Sequence, residues 1–395
     1  MMKARQIEKQ LLVPYQHRVY FTQDVFEPEN TLLASLLTES TEGEATRVYV
    51  AVDEQLREHD SAFQDKVHAY FNNFREKIDC CGYSEYPGGE ILKNDLRYLK
   101  DLYHEIEQAK LCRHSYLIGI GGGALLDMTG FAAATAHRGI RHLRLPTTSL
   151  SQGDGGVGVK NGVNYLGKKN FIGTFMPPHA VVNDLNFLKT LSNNQMRDGY
   201  IEAVKVALIR DGAFFDLIES RAELLINRDP DTISWIIEKS AQHHVDHIAQ
   251  SGDPFELKSA RPLDFGHWVA HKLETMSAFK ISHGEAVAIG MAVDVLYSQK
   301  IGHLAKKQAS RIINLIEQLG FKTYSPELLT VSEQGRNLIL EGLDEFREHL
   351  GGQLTISLLN DIGDSFETHE MIPKVILECI EGLRDRNASR PHPES

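Results

Sequence analysis

Short runs of β-branched, aromatic and other apolar residues alternate with helical patterns in the first half of the chain. The runs that predict strands lie at residues 47–52 (RVYVAV), 115–120, 143–145 and 180–182. Apolar positions recur at helical spacing after the first run, at 63–71, and after the second run, at 124–136. Because strands that alternate with helices pair in parallel, this half predicts a doubly wound α/β domain that binds ligands at the carboxyl ends of its strands.

The second half of the chain shows a different pattern. Helical periods dominate from about Leu191 to Leu319, and residues 353–359 (QLTISLL) form one late run typical of a strand. We therefore predict an N-terminal α/β domain at 1–190 and a mainly helical domain at 191–386. The polar tail at 387–395, which contains two prolines, is expected to be mobile.

Composition and charge narrow the class of protein. The 395 residues, 42% hydrophobic and 24% charged, suffice for two or three domains of about 100 to 200 residues each. The net charge is −12, from 54 acidic and 42 basic residues, which argues against nucleic acid as a partner. No run approaches the roughly 20 apolar residues that span a bilayer, and no export signal is visible. With only four cysteines, unpaired in pattern, we expect a reduced, cytoplasmic protein without a membrane partner.

A glycine cluster follows the second predicted strand. Gly119, Gly121 and Ala124 fit the pattern G-x-G-x-x-A between a strand and a helix, where backbone amides can approach a pyrophosphate. The acidic residue expected about 20 positions later is missing, and Asp127 lies one turn inside the helix instead. The motif alone therefore does not decide between a dinucleotide site and a tight strand-to-helix turn.

A glycine-rich segment with lysines follows the Pro-Thr-Thr sequence at 146–148. Residues 153–160 (GDGGVGVK) carry little side-chain bulk, and Lys160, Lys168 and Lys169 supply cationic donors for an anionic ligand. The combination predicts a phosphate pocket. The alternative is a flexible, solvated loop.

Several histidines have the spacing of metal ligands. His267 and His271 lie four residues apart on one predicted helix face, which Glu274 continues, and His283 could reach the same centre from a following turn. A rival cluster at 243–247 contains the same pair at four-residue spacing, and spacing alone does not choose between the two. Glu202 and Lys205, three apart on a helical segment, fit either a ligand beside a catalytic cation or a surface ion pair.

In this order, the motifs resemble those of the sugar phosphate cyclases, the family that includes dehydroquinate synthase. The resemblance covers roughly residues 47–303 and rests on the segments 88–93 (GGEILK), 121–123 (GGG) with Asp127, and 146–148 (PTT). It implies a nucleotide-binding α/β domain that holds NAD, joined to a mainly helical metal-binding domain. The positions that match the family's NAD contacts are Asp53, Glu90, Lys93, Gly122, Gly123, Asp127, Thr147 and Thr148, with Asp154, Lys160 and Lys169 of the adjoining loop.

The resemblance also implies a metal centre and a substrate site. The family's metal ligands match Glu202, His267 and His283, for which we expect zinc, with cobalt as the alternative. Catalytic and substrate-binding residues of the family match Lys205, His271, Lys160, Asp154, Asn170 and Lys169. Arg138 matches an arginine that reaches the phosphate site of a neighbouring subunit, which implies a homodimer.

The chain departs from dehydroquinate synthases where they place a lysine, an arginine and an asparagine near the substrate. Those positions hold Asp246, Ala260 and Asp264, with Arg261 displaced by one, and 344–349 (DEFREH) replaces a pair of lysines near the carboxyl end. A substrate carboxylate would lose its charge-assisted hydrogen bonds here. In a dry pocket this loss would weaken its binding by an amount on the order of several kcal/mol. These departures predict a neutral ketose phosphate as substrate in place of the heptulosonate that dehydroquinate synthase uses.

The predicted activity is therefore that of a phosphate-eliminating lyase. Relatives with similar replacements cyclise sedoheptulose 7-phosphate to C7 cyclitols of the valiolone type, by transient oxidation with NAD, elimination, re-reduction and intramolecular aldol closure. They share the Gly-Val-Asn at 162–164, whereas some of them lack His271. Three alternatives remain: dehydroquinate synthase itself, with Arg261 and Arg347 replacing the lost cations; a metal-dependent alcohol or glycerol dehydrogenase; and an inactive NAD-binding scaffold.

Overall fold

The computed structural model describes residues 6–39, 44–250, 253–255, 262–349 and 352–389. Its N-terminal part is built on a six-stranded sheet in which every neighbouring pair of strands is parallel. In spatial order the strands are β1 (Val19–Thr22), β8 (Ala180–Asp184), β5 (Arg141–Pro146), β4 (Tyr116–Gly121), β2 (Thr46–Asp53) and β3 (Ile78–Tyr86). The helices that precede or connect them are α1 (Leu32–Thr38), α2 (Gln55–His59), α3 (Phe63–Asn73), α4 (Ile91–Asn94), α5 (Leu96–Gln108), α6 (Gly123–Thr135) and α7 (Ser149–Gly153).

Helices cover both faces of this sheet, as the near-continuous burial of β2 requires. Val48 and Val50 pack with Phe63 and Val67 of α3 on one face, while Tyr49 faces α5 and α6 on the other. Side chains of a strand alternate between faces, so both sets must be apolar when both faces are covered.

The C-terminal part is mainly helical and packs around two helices that are buried on most sides. These are α8 (Asn193–Arg210) and α13 (His283–Lys300). Around them lie α9 (Gly212–Ser220), α10 (Ala222–Ile226), α11 (Pro230–Gln250), α12 (His267–Met276), α14 (Lys306–Gln318), α15 (Glu341–His349) and α16 (Pro373–Ala388), with the hairpin β9 (Ile356–Asp361) and β10 (Asp364–Thr368). A helix that is apolar on all sides belongs in a core, which explains the central place of α13.

The predicted fold class is confirmed, and all four predicted strands of the sheet are present. The patterns missed β1, β3 and an antiparallel hairpin formed by β6 (Lys160–Tyr165) and β7 (Lys168–Phe175). The late strand begins at Ile356, three residues after the predicted start. The helix α16 continues to Ala388, into the predicted tail, and residues 390–395 lie outside the described part. None of the described helices combines the length and apolar character that crossing a bilayer requires.

Candidate functional site

Three helices bring one ligand atom each to a common point. Glu202 lies in the middle of α8, while His267 and His283 are the first residues of α12 and α13. Their ligand atoms all lie within 4.8 Å of one another, and Glu202 Oε1 is 3.6 Å from His283 Nε2. The structure therefore assembles the three residues that the family resemblance implies, from positions 65 and 16 residues apart in the sequence.

This cluster suits a divalent cation. Glu202 is fully buried, and no donor among the described residues reaches either of its oxygens in hydrogen-bond geometry, although Lys205 Nζ contacts the carboxylate. Two imidazoles and one carboxylate are a donor set that zinc accepts in catalytic sites. The second nitrogen of each imidazole has a partner, as is usual for metal-binding histidines: Nδ1 of His267 lies 3.2 Å from Phe265 O, and Nδ1 of His283 lies 3.2 Å from Glu274 Oε1.

The electrostatics of the cluster also favour positive charge at its centre. Burial lowers the pKa of His283, but the carboxylates of Glu202 and Glu274 outweigh burial and raise it to about 9. Burial and the neighbouring Lys205 hold the pKa of His267 well below its usual range. Positive charge is therefore stabilised between the two carboxylates, which is the charge that a divalent cation supplies.

Predicted catalytic residues surround this centre. Lys205 is buried against Glu202 and lies 3.8 Å from Asp154 Oδ2, so these charges favour the ammonium form and raise its pKa despite burial. Lys169 Nζ lies 3.2 Å from Glu274 and 3.7 Å from Glu90. The ring of His271 lies 5.4 Å from that of His267. The arrangement therefore places two ammonium groups and an imidazole beside the three candidate ligands.

His271 differs from the ammonium groups in charge. Burial lowers its pKa to about 4, so the ring is neutral near pH 7. A neutral imidazole can accept a proton or pass one on, whereas the neighbouring ammonium groups can only donate.

The residues expected to hold NAD gather at the carboxyl ends of β2, β4 and β5. Gly122 and Gly123 begin α6, and a Cβ built on Gly123 would meet no atom within 4 Å, so space is open beside this helix terminus. Asp53 ends β2 beneath Gly88, whose added Cβ would come within 2.8 Å of Asp53 Oδ2. Thr148 caps the next short helix, α7, through a hydrogen bond from the Ser151 amide. Open space at a helix N-terminus beside glycines suits the approach of a pyrophosphate.

A partly buried network of polar side chains joins this edge to the hairpin of β6 and β7. Lys93 is buried, donates to Asp127 Oδ2 at 2.6 Å and contacts Asn170 Oδ1. Asn164 Nδ2 donates to Glu90 Oε2 at 3.1 Å, and the backbone N–H of Asn170 donates to Asn164 Oδ1 at 2.8 Å. Because Lys93 occupies the carbonyl oxygen of Asn170, the NH2 group of that side chain remains as the donor for a ligand.

Arg138 lies away from these residues. It is exposed in the turn after α6, which runs from the carboxyl end of β4 back to the amino end of β5. The turn that holds Arg138 therefore lies at the edge of the sheet opposite the gathered residues. His137 and Arg138 both have positive φ, 52° and 63°, an uncommon conformation that residues without a glycine's freedom adopt at some cost.

The residues that depart from the pattern of dehydroquinate synthases lie in different surroundings. Asp264 lies where its charge acts on both Lys205 and His271. The carboxylate of Asp246 accepts from Gln242 Nε2 at 2.9 Å, one turn earlier on α11, and its place near the substrate stays a prediction. Ala260 and Arg261 lie outside the described residues.

The sequence reasoning missed His244. Its Nε2 lies 2.8 Å from Asp154 Oδ1, and together with Lys205 it holds the pKa of that carboxyl well below the usual range despite burial. The spacing of apolar residues along α11 could have indicated His244 from the sequence. The buried residues of α11 are Thr232, Ile233, Ile236, Ile237, Ser240, Ala241 and His244. This stripe continues at i, i+3, i+4 and i+7 and turns His244, not Asp246, toward the site.

Comparison with known proteins identifies the family. Residues 84–198 match the model of the 3-dehydroquinate synthase N-terminal domain, and residues 199–335 match that of its C-terminal domain. The chain belongs to the dehydroquinate synthase family of sugar phosphate cyclases. A 3-dehydroquinate synthase from Halorhodospira halophila is 35% identical over 304 residues, which cover 74% of this chain and 84% of that protein.

Solved structures of cyclases share this fold. A 2-epi-5-epi-valiolone synthase from Streptomyces hygroscopicus subsp. jinggangensis, with NAD+ and Zn2+ bound, superposes with a TM-score of 0.84 at 24% identity, covering 96% of this chain and 100% of that one. A 2-deoxy-scyllo-inosose synthase complexed with carbaglucose-6-phosphate, NAD+ and Co2+ reaches 0.73 at 21% identity, covering 93% and 96%. At these identities the likeness shows the fold, and the predicted family membership is confirmed by the family models.

Proposed function

We propose that this sugar phosphate cyclase acts on a neutral ketose phosphate, sedoheptulose 7-phosphate, and forms a C7 cyclitol of the valiolone type with loss of phosphate. The observation that carries the proposal is Asp264, which lies in the turn three residues before His267 and whose carboxylate contributes to the raised pKa of Lys205 and opposes the lowering of the pKa of His271. A substrate carboxylate placed there would face a like charge, whereas a neutral polyol could donate hydrogen bonds to it.

Pairing among the site's own groups supports the same substrate. Lys205 is already paired with Glu202, and Lys169 with Glu274. Among the described residues, no arginine forms an ion pair with either of these carboxylates. A carboxylated sugar would have to compete for cations that protein carboxylates hold, which lowers its affinity relative to an uncharged sugar.

The residues present fit both cofactors of the proposed reaction. Glu202, His267 and His283 would hold zinc, and the glycines at the start of α6, with Asp53 and Lys93, would hold NAD. When bound, NAD supplies a hydride acceptor that becomes the donor later in the turnover, and the divalent ion polarises substrate oxygens.

The chain's own groups then have definite tasks. Lys205, buried and cationic, donates to the substrate oxygen at which negative charge develops. His271, neutral near pH 7, accepts a proton from the substrate or relays one to it. Lys160 and the NH2 group of Asn170 bind the phosphate, and His244 orients Asp154 beside Lys205.

Arg138 is proposed to complete the phosphate site of a second copy of the chain. It lies at the edge of the sheet away from its own site, so a role in catalysis requires another subunit. The hairpin of β6 and β7 exposes Leu166 at 74% and Phe171 at 54%, apolar surface of the kind that a homodimer would cover.

Dehydroquinate synthase activity is the second candidate, because the curated relatives at about 35% identity carry that name. It would require cations for the substrate carboxylate. Arg347, one of the two predicted substitutes, donates instead to Asp344 at 2.8 Å on the exposed side of α15. This pairing disfavours Arg347 as the carboxylate receptor.

The test is phosphate release by the zinc-loaded protein with NAD, offered sedoheptulose 7-phosphate and the carboxylated heptulosonate phosphate in parallel. We expect preference for the neutral sugar and no net NADH. Asp264→Asn restores the asparagine of dehydroquinate synthases and should shift the preference toward the carboxylated sugar. Preference of the wild-type protein for that sugar would refute the proposal. Net NADH from a simple alcohol would indicate a dehydrogenase instead.

His267→Ala is the matched control for the metal in this assay. It should lose both bound zinc and turnover, because one of the three ligands is removed. Full activity of a zinc-free His267→Ala protein would contradict the metal assignment. Absence of phosphate release from every sugar phosphate tested would favour the inactive scaffold.

A further inference from the structure

A buried carboxyl group in the middle of α13 has two neutral partners. Asp294 is fully buried, and its oxygens accept from the backbone amide of Gly266 at 3.0 Å and from Trp268 Nε1 at 2.9 Å. Burial raises the pKa of Asp294 to about 7, because these two donors offset only part of the cost of removing the charge from water. The two donors lie on either side of His267 in the sequence.

The contact joins the beginning of α12 to the helix that carries His283. Gly266 adopts a left-handed conformation, with φ 78°, directly before α12, and a Cβ added at Gly290 would come within 2.0 Å of its carbonyl oxygen. The backbone before His267 thus rests directly on α13. The carboxyl group of Asp294 then fixes the rotation of this first turn by holding one backbone and one side-chain donor.

We propose that Asp294 is a positioning residue for the metal centre, which holds His267 in place through Gly266 and Trp268. The inference rests on the proposed metal role of Glu202, His267 and His283. Imidazole ligands lose affinity for a metal when their orientation is left free, so an outer partner of this kind contributes to binding without touching the ion.

Asp294→Asn is the direct test, because it keeps the size of the side chain. The amide can accept with one oxygen only, and its NH2 group would face one of the two N–H donors. With zinc-loaded, full-length protein and a competing chelator, we expect zinc affinity to fall about 10- to 100-fold. Trp268→Phe removes one of the two donors and should cause a smaller loss in the same direction.

Ser298→Ala is the matched control on the same helix. Ser298 Oγ donates to the backbone carbonyl of Asp294 at 2.7 Å and accepts from the amide of Leu359 at 3.2 Å. Its removal breaks two buried hydrogen bonds without affecting the donors around His267. The variant should therefore unfold at a lower temperature than the wild-type protein and retain its zinc affinity.

Unchanged zinc affinity in Asp294→Asn, or an equal loss in Ser298→Ala, would overturn the inference. Should Asp294→Asn fail to fold, Trp268→Phe decides in its place, and wild-type zinc affinity in that variant overturns the inference. Failure of the metal assignment itself is recognised separately, because His267→Ala would then bind zinc as well as the wild-type protein does.

Discussion

The pair formed by Lys205 and Glu202 gives the sharpest prediction. Both side chains are buried and in contact. The attraction between their opposite charges offsets much of the free energy that each charge loses when it is removed from water. Lys205→Met keeps the length of the side chain and removes its charge. It leaves the carboxylate of Glu202 in the core, beside the imidazole of His283 at 3.6 Å and that of His267 within 4.8 Å.

The expected cost follows from the burial of the pair. Removing one partner of a buried ion pair typically costs about 3–5 kcal/mol, because the other charge stays buried. The ammonium group also attracts Asp154 at 3.8 Å, and at an effective dielectric constant of about 20 that attraction is worth about 4 kcal/mol before desolvation is subtracted. We therefore expect the zinc-free Lys205→Met protein to unfold at a clearly lower temperature than the wild-type protein.

Zinc should reverse most of this loss. A cation held by Glu202 replaces the missing ammonium charge, and the like-charge repulsion between Lys205 and the ion is absent in the variant. Zinc at about 1,000 times its dissociation constant stabilises a protein by about 4.1 kcal/mol, which is comparable with the expected cost. Lys205→Met should thus bind zinc at least as tightly as the wild-type protein does, while its turnover is lost.

The assay is thermal unfolding with and without zinc, together with chelator competition. Lys93→Met is the control, since Lys93 is also buried and paired, with Asp127 at 2.6 Å, but away from the metal ligands. Zinc should raise the unfolding temperature of Lys93→Met no more than that of the wild-type protein. Weaker zinc binding in Lys205→Met, or equal recovery of both variants, would refute the reasoning.

Three further outcomes are expected. Gly123→Ala should keep the stability of the protein or raise it by about 0.5–1 kcal/mol, because a Cβ there meets no atom within 4 Å. The same variant should bind NAD more weakly in a fluorescence titration, and undiminished NAD affinity would contradict the placement of the cofactor. The carboxylate of Asp154 outweighs burial and raises the pKa of His244, so this contribution to stability is complete below about pH 6.5 and lost as the pH rises through the folded-state value. His244→Gln should flatten the alkaline decline of the unfolding temperature, and an unchanged slope would count against this pairing. Arg347→Gln should leave KM for both sugar phosphates unchanged, because Arg347 pairs with Asp344 at the surface; a selective rise for the carboxylated sugar would support dehydroquinate synthase activity.

The metal centre shows where sequence information was sufficient and where it was not. Spacing placed two pairs of histidines at four-residue intervals, and only the family resemblance chose His267 and His283. The structure supports that choice because α8, α12 and α13 converge there, whereas His243 pairs with Asp211 at 3.1 Å. Convergence of helices distant in sequence is a property of packing, which local patterns do not encode.

The residues expected near the substrate show how the rotation of a helix matters. Matching by position alone put Asp246 near the substrate, whereas the structure brings His244 of the same helix to Asp154, and Asp246 accepts from Gln242. Two residues of a helix that are two positions apart point about 200° apart, so the side chains of His244 and Asp246 leave nearly opposite faces of α11. The apolar stripe of α11 already indicated in the sequence that His244 is buried.

The sequence by itself determined the alternating α/β half, the helical half, the glycine turn and the family. These follow from periodicity and from short motifs, whose physical causes act over a few residues. Tertiary structure alone decided which carboxylates share which cations, and it brought Asp294 to Gly266 and Trp268, the neighbours of His267 in the sequence. These relations depend on burial and on contacts between distant helices, and they set the charge and geometry on which the proposed chemistry rests.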